Sequence, residues 1–147
     1  MQNKIANTLY ATGMLACIAF PYALYIHNNN PNGEAPKAQF VNDIRYSIDT
    51  CSFLNGNIIV KGWAFPTKGQ QVKITRLFVD IDNKVYQLHK KTTKTEDVKK
   101  LFSGEKQYGM VGFYGSKYIK TTSNELILVI SIEDTDGNIH ETKYKCK

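Results

Sequence analysis

Residues 57–65 have the sequence NIIVKGWAF, and this stretch indicates the fold of most of the chain. In an extended strand, alternate side chains point to opposite faces. One face would carry Ile58, Val60 and Ala64, and the other Ile59, Trp63 and Phe65. A strand that is apolar on both faces belongs in the middle of a covered sheet. We therefore predict a central strand of a β-sandwich, with Trp63, Phe65 and later Phe113 as core residues rather than a platform for ligands.

The sequence on either side continues this β pattern. Ile44, Tyr46 and Ile48 alternate with polar residues, and Asn55-Gly56 is a strong hairpin signal. Residues 126–132 form a buried apolar strand, and the acidic run at 134–138 predicts the next hairpin turn. About seven strands in about 100 residues predict a mainly β fold, an immunoglobulin-like β-sandwich. A small barrel is the alternative.

Three details of the strands are less regular. The apolar phase of residues 72–82 slips, which predicts a bulge near Thr75 and Arg76. Residues 85–89 should pair back on that strand, while 90–100 are polar and predict a loop with one helical turn capped by Thr95. Residues 110–114 and 118–120 are expected to be two short strands around glycines.

The first segment of the chain has a different character. Residues 5–26 form a run of 22 uncharged residues, long enough to cross a bilayer as a helix. A cleaved signal peptide is the alternative, but small residues at a cleavage position are missing after Phe20, and the residues after Cys17 do not resemble a lipoprotein start. We predict a membrane anchor at 1–27, a linker rich in Asn, Pro and Gly at 28–43, and an extracytoplasmic sandwich at 44–147.

The charges around this segment favour one orientation. Lys4 precedes it, whereas Glu34 offsets Lys37 in the residues that follow. We expect a single-pass protein of a bacterial inner membrane, encoded by the bacterium or a phage, with its C-terminal domain in the periplasm.

The three cysteines bear on this topology. Cys17 lies in the apolar segment, while Cys51 and Cys146 lie near the two ends of the β region. In an oxidising compartment, two such residues can form a disulfide. The chain-entropy account assigns about 4 to 5 kcal/mol to closing so long a loop. We predict a bridge from Cys51 to Cys146; two independent thiols are the alternative.

The charge pattern suggests anionic partners. The chain carries a net charge of +6, but the basic residues are spread along it, so nucleic acid is not expected. The densest basic group is a candidate binding site for a partner protein or an acidic glycan, and a solvated loop is the alternative. Its members are Lys90, Lys91, Lys94, Lys99 and Lys100.

No recognisable catalytic or metal motif appears in the sequence. Asp80 and Asp82 end a strand at a turn, where Asp is common, and residues 134–138 lack the Gly spacing and flanking helices of a calcium-binding EF-hand. His27, His89 and His140 are scattered and fit no nucleophile or zinc motif. We therefore expect a protein without enzymatic activity, cofactor or metal.

Several short motifs occur in an order that resembles a known family. These are residues 62–65 (GWAF), 86–88 (YQL), 96–98 (EDV), 112–113 (GF) and 134–137 (DTDG). Together they are similar to a small β-sandwich domain appended to bacterial glycosyltransferases and surface-polysaccharide membrane proteins. The family pattern usually has an Arg where Thr95 stands here. The resemblance covers about residues 55–140 and implies an accessory domain whose motif residues are mostly structural.

These observations favour two functions. The first is a membrane-anchored accessory module that engages the bilayer, an integral membrane protein and an anionic glycan in cell-surface polysaccharide assembly or modification. A phage protein that alters the envelope or excludes other phages fits the same description. The alternative is a structural single-span subunit of a secretion, pilus or respiratory complex, in which small and polar residues of the helix would pack against other helices.

Overall fold

The computed structural model describes residues 2–29, 43–67, 71–96, 98, 110–121, 123 and 125–146. It divides into two compact units at residue 30. Most of the predicted linker, most of the predicted helical turn after Thr95, and Lys99 and Lys100 lie outside the described residues.

The first unit is a single helix, α1, which spans Gln2–Asn29 and contains Pro21. Its side chains from Asn7 to His27 are all exposed. This segment of 21 residues is long and apolar enough to cross a membrane. The Thr12 hydroxyl donates a hydrogen bond to the Thr8 carbonyl oxygen at 2.8 Å, which satisfies this polar group within the helix. Such a helix fits membrane anchoring.

The second unit consists of two antiparallel sheets of four strands each. The strands are β1 (Ile44–Leu54), β2 (Asn57–Pro66), β3 (Val72–Ile81), β4 (Lys84–Gln87), β5 (His89–Thr93), β6 (Gly112–Tyr118), β7 (Ile127–Asp134) and β8 (Ile139–Lys145). Sheet 1 has the order β1-β2-β6-β5, and sheet 2 has the order β4-β3-β7-β8. With the strands lettered A, B, C, C′, D, E, F and G, this is the immunoglobulin arrangement. The predicted immunoglobulin-like sandwich is confirmed, with eight strands instead of about seven.

Three hairpin turns lie where the sequence predicts them. Asn55 and Gly56 both have positive φ, 51° and 81°, in the two-residue turn between β1 and β2. Asp82 and Asn83, at 52° and 60°, form the turn between β3 and β4, and Gly137 at 85° lies between β7 and β8. Positive φ at both central residues is characteristic of the hairpin turn whose twist matches that of the flanking strands.

The chain changes sheets at Leu88, which the sequence did not reveal. Leu88 is buried, and its backbone N–H donates to the Leu77 carbonyl oxygen of β3 at 2.9 Å. The following residues then leave sheet 2 and pair with β6 as strand β5. The prediction of a loop from residue 90 is wrong, because β5 is an edge strand, and edge strands commonly carry lysines.

Two other predictions also differ from the structure. The bulge in β3 lies between Val72 and Ile74, and Thr75 itself is buried. The glycine-flanked segment forms one strand, β6, because Gly115 allows close approach of the sheets: a Cβ atom there would lie 2.7 Å from the Leu77 Cδ1 atom. A glycine within a strand can thus mark a close contact rather than an interruption.

The main core fills the space between the two sheets. Its fully buried members come from both sheets and include Ile58, Val60, Leu77, Val79, Phe113, Leu128, Ile130 and Ile132. The disulfide between Cys51 and Cys146 closes one side of the sandwich by joining β1 to the residue after β8, with 5.5 Å between the Cα atoms. Tyr46 and Tyr144 pack edge to face across the same side, with 6.4 Å between ring centroids. The predicted bridge is therefore present.

Trp63 and Phe65 do not belong to this core. Phe65 is buried in a second, smaller cluster with Val98 and Val111. Trp63 is only partly buried there and stacks on Phe65, with ring centroids 5.4 Å apart. Trp63 follows Gly62 and precedes the main-core residue Ala64, so it points to the outer face of sheet 1 and packs in the smaller cluster rather than between the two sheets.

Candidate binding surface

The outer face of sheet 1 brings residues of three strands into rows. Lys61 of β2 lies opposite Tyr114 of β6, and Lys91 of β5 lies opposite the same tyrosine on its other side. Residues that are directly opposite in antiparallel strands have Cβ atoms roughly 5 Å apart and share a face. Tyr114 is therefore flanked by two lysines.

The next rows form a groove. Ser116 lies between Ile59 and His89, and Tyr118 lies opposite Asn57. These side chains line a concave site with a volume of about 370 Å³, which we call the tyrosine groove: Asn57, Ile59, His89, Tyr114, Ser116 and Tyr118. Tyr114 and Tyr118 are 38% and 52% exposed, so both rings are accessible to a ligand.

The charged residues on the strands of sheet 1 are mostly basic. Its strands, which are described in full, carry Arg45, Lys61, Lys90, Lys91 and Lys117. Asp49, at the bulge in the edge strand β1, is their single carboxylate. Within the described part of the chain, neither Lys61 nor Lys91 forms an ion pair. The outer face thus presents Lys61 and Lys91 without an ion pair to any described residue, which favours anionic ligands.

The predicted lysine group is divided by the fold. Lys91 and Lys94 are exposed, and Lys91 flanks Tyr114. Lys90 points to the opposite face of β5, where burial lowers its pKa and its Nζ atom donates to the Thr92 hydroxyl. The sequence grouped these lysines because they are close in the chain, but neighbours on a strand face opposite ways. Lys61, which belongs to the surface, was missed because it lies 30 residues away from Lys91.

Lys117 also points inward, from β6. It is buried, its Nζ atom donates to the Gln87 carbonyl oxygen at 3.2 Å, and it lies 5.9 Å from the ring centroid of Tyr86. Burial lowers the pKa of Lys117. This lysine links β6 to β4 across the side opposite the disulfide, so its role is structural.

The second polar cluster surrounds His140 in sheet 2. Its Nδ1 atom lies 2.5 Å from Asp43 Oδ2, and its Nε2 atom lies 3.0 Å from Asp134 Oδ2. Asp134 is fully buried, and its Oδ1 atom accepts hydrogen bonds from the backbone N–H groups of Asp136 and Asn138. The cluster therefore fastens the β7–β8 turn to the residue that precedes β1.

The electrostatics of this cluster favour a charged imidazole. The hydrogen bond from His140 lowers the pKa of Asp134 to about 2, against the effect of burial, and donors from Asn138 and Asp136 add to this. Burial lowers the pKa of His140, but the hydrogen bonds to Asp134 and Asp43 outweigh it and raise the pKa above its usual value. An imidazolium held by two carboxylates is consistent with both shifts.

Catalysis by this cluster finds no support in its geometry. Both ring nitrogens of His140 are held by carboxylates, so neither is available to take a proton from a substrate. Elsewhere, Asp82 accepts a hydrogen bond from the Thr121 hydroxyl at 3.3 Å. No group of three His, Cys, Asp or Glu side chains with the arrangement of a metal site occurs among the described residues.

Asp43, the last residue of the predicted linker, is part of the sandwich. Its carbonyl oxygen accepts a hydrogen bond from the backbone of Thr67, and its carboxylate contacts His140. It is 97 residues away from His140, so no local pattern could have joined them. The spacing of Asp134 and His140 across a hairpin turn was the one signal available in the sequence.

Comparison with known protein families finds no family that matches this chain, and comparison with curated proteins finds no significant match. The resemblance to accessory domains of surface-polysaccharide proteins therefore stays a prediction.

Proposed function

We propose that this protein is a membrane-anchored, extracytoplasmic binding module that engages a membrane enzyme or a glycan in the assembly or modification of cell-surface polysaccharide. The observation that carries the proposal is the outer face of sheet 1, where accessible tyrosines and lysines without ion pairs among the described residues surround a groove. A domain with only a structural role would not need such a face, whereas a domain that recognises an anionic partner would.

The location outside the cytoplasm is supported by two features. The apolar helix α1 is long enough to cross a membrane, and the Cys51–Cys146 disulfide is compatible with an oxidising compartment. In the proposed topology, α1 crosses a bacterial inner membrane and holds the sandwich in the periplasm. Thiol labelling of cells lysed in denaturant without reductant tests this: Cys17 should react while Cys51 and Cys146 should not, and labelling of all three cysteines would contradict the proposed location.

The function is tested by capture of partners. The full-length tagged protein is extracted from native membranes in a mild detergent, and co-purified proteins are identified by mass spectrometry. We expect an enzyme that makes, polymerises or modifies surface glycan.

A matched chain in which residues 5–26 are replaced by an unrelated single-span helix separates the two candidate functions. An accessory module keeps its partner, because the sandwich makes the contact. Loss of all partners on helix exchange, together with stoichiometric capture of one stable complex by the original chain, would instead identify a structural subunit.

A further inference from the structure

We infer that the tyrosine groove and its flanking lysines form a binding subsite for an acidic polysaccharide, a chain of sugars that carry carboxylates. This inference rests on the proposed function and narrows it, because it assigns the ligand class and the residues that contact it. Tyr114 packs against a sugar ring, and Lys61 and Lys91 pair with carboxylates on either side of it.

The shape of the site argues for a chain-like ligand of modest width. Tyr114 and Tyr118 are four residues apart on β6, which places them about 13 Å apart along the strand. This separation is longer than one sugar ring, and the groove runs between the two tyrosines. The volume of about 370 Å³ is in the range of small-ligand sites.

The chemistry of the site matches that of a sugar acid. A pyranose ring has an apolar C–H face, which packs on an aromatic ring, and Tyr114 offers such a ring at 38% exposure. Its hydroxyl groups need donors and acceptors, which are supplied within the groove by Asn57, Ser116 and His89. Carboxylates would complete the match with Lys61 and Lys91, since hydrogen bonds between ionised groups are the strong ones.

The charge of the surroundings points the same way. On the outer face of sheet 1, Lys61 and Lys91 form no ion pair with a described residue, although Asp49, at the bulge of β1, precedes Thr50, the register partner of Lys61. A neutral glycan would make no use of these positive charges. Anionic lipid would be attracted by it but would gain nothing from rings that line a groove.

The test uses full-length protein reconstituted in uncharged phosphatidylcholine nanodiscs. Binding is measured to polygalacturonate and alginate as acidic polysaccharides, dextran as a neutral one, polyglutamate as a polyanion without sugar rings, and phosphatidylglycerol vesicles as an anionic lipid surface. We expect binding to at least one polyuronate that weakens with salt, and little binding to dextran.

The variants separate the ring from the charges. Tyr114→Ala and the double variant Lys61→Gln/Lys91→Gln should each weaken polyuronate binding by about tenfold or more. The matched control is Lys84→Gln/Lys145→Gln, which removes the same charge from sheet 2 and should change affinity less than about twofold. Resistance to protease and retention of the Cys51–Cys146 disulfide show that each variant is folded.

Three outcomes would overturn the inference. Failure of both polyuronates to bind would exclude the ligand class. Equal affinity for polyglutamate, unaffected by Tyr114→Ala, would indicate a general polyanion surface, and equal dependence of vesicle binding on Lys61 and Lys91 would indicate lipid. None of these bears on the partner capture described above, so the accessory function can survive the loss of this subsite.

Discussion

The two sheets of the sandwich carry the same number of basic residues on their strands but differ in how these charges are balanced. Sheet 1 has five, with Asp49 as its one carboxylate, whereas sheet 2 has five with four carboxylates. In sheet 2, Glu133 accepts hydrogen bonds from Lys73 and Arg76 at 2.8 and 3.0 Å, and these hydrogen bonds lower its pKa. Sheet 2 therefore pairs two of its basic residues with Glu133, whereas Lys61 and Lys91 on the outer face of sheet 1 form no ion pair with a described residue.

This difference separates structural from functional electrostatics. In sheet 2 the polar groups hold a turn and an edge in place, as in the His140 cluster. In sheet 1 the lysines of the outer face, Lys61 and Lys91, form no ion pair with a described residue. The strands that carry them are held together by the apolar core. Net charge alone, +6 for the whole chain, could not have shown this division.

The largest effect should come from removing the covalent link between the sheets. Cys51→Ser opens a loop that spans 95 residues in sequence, and the chain-entropy account predicts a loss of about 4 to 5 kcal/mol in the free energy of unfolding. Urea unfolding of the full-length protein in detergent, followed by protease resistance, measures it. Cys17→Ser is the matched control because Cys17 is a free cysteine of α1, and an equal loss in both variants would contradict the assignment.

A smaller effect should distinguish the inner from the outer face of sheet 1. Gly115→Ala places a methyl group against Leu77 and Leu88, and such overpacking costs about 1 to 3 kcal/mol. Ser116→Ala changes the next residue, on the outer face, and should stay within about 0.5 kcal/mol. Equal stability of the two variants, measured in the same urea assay, would show that the sheets do not approach as closely at Gly115 as described.

The His140 cluster should make the stability of sheet 2 depend on pH. The pKa of His140 is raised in the folded protein, so its contribution is fully present below its usual value of 6.5 and is lost as the pH rises through the folded pKa. The pKa of Asp134 is lowered from 3.8 to about 2, so its contribution is present above pH 3.8 and is lost as the pH falls towards 2.

Unfolding midpoints in urea from pH 5 to 9 measure this dependence. We expect the wild-type midpoint to fall above pH 6.5 and the His140→Asn variant to lose that decline, with a lower midpoint at pH 5. His89→Asn, on the outer face of sheet 1, should keep the wild-type profile. If the urea midpoint of His140→Asn changed with pH in parallel with that of the wild type, the His140 imidazolium would not be the cause of the pH dependence.

The smallest effect should come from an exposed ion pair of sheet 2. Lys145 donates to Glu125 at 3.0 Å, and both side chains are more than half exposed. Exposed pairs contribute roughly 0 to 1 kcal/mol, so Lys145→Gln should leave the urea midpoint nearly unchanged. A large loss would mean that the charge balance of sheet 2 stabilises the fold more than its exposed geometry indicates.

The sequence predicted the architecture because the fold depends largely on local signals. Alternating apolar residues, two-residue turns such as Asn55-Gly56, and the doubly apolar β2 each act within a few residues. The strand β5 was missed because its polar residues are typical of both a loop and an edge strand. Trp63 was misplaced because both faces of β2 are apolar, and which of them meets the other sheet is decided by distant strands.

The candidate surface was less predictable for the same reason. Lys61, Lys91 and Tyr114 come from three strands, and only the pairing of those strands brings them together. The cluster of Asp43, Asp134 and His140 depends in the same way on contacts between distant residues. A single sequence contains no local signal for such pairings, whereas a disulfide can be inferred from two cysteines alone.

The position of the disulfide has a mechanical consequence. A force that pulls on the chain before Asp43 acts first on the contacts of Asp43 with Thr67 and His140, and then on β1, an edge strand that can be peeled from β2 by breaking a few hydrogen bonds at a time. Peeling stops at Cys51, because from there the load passes through the covalent bond to Cys146 and the rest of the sandwich lies within the closed loop. In a sandwich tethered to a membrane by this end, tension would detach the seven residues 44–50 and no more. Strands β2, β5 and β6, and the groove they form, would stay folded.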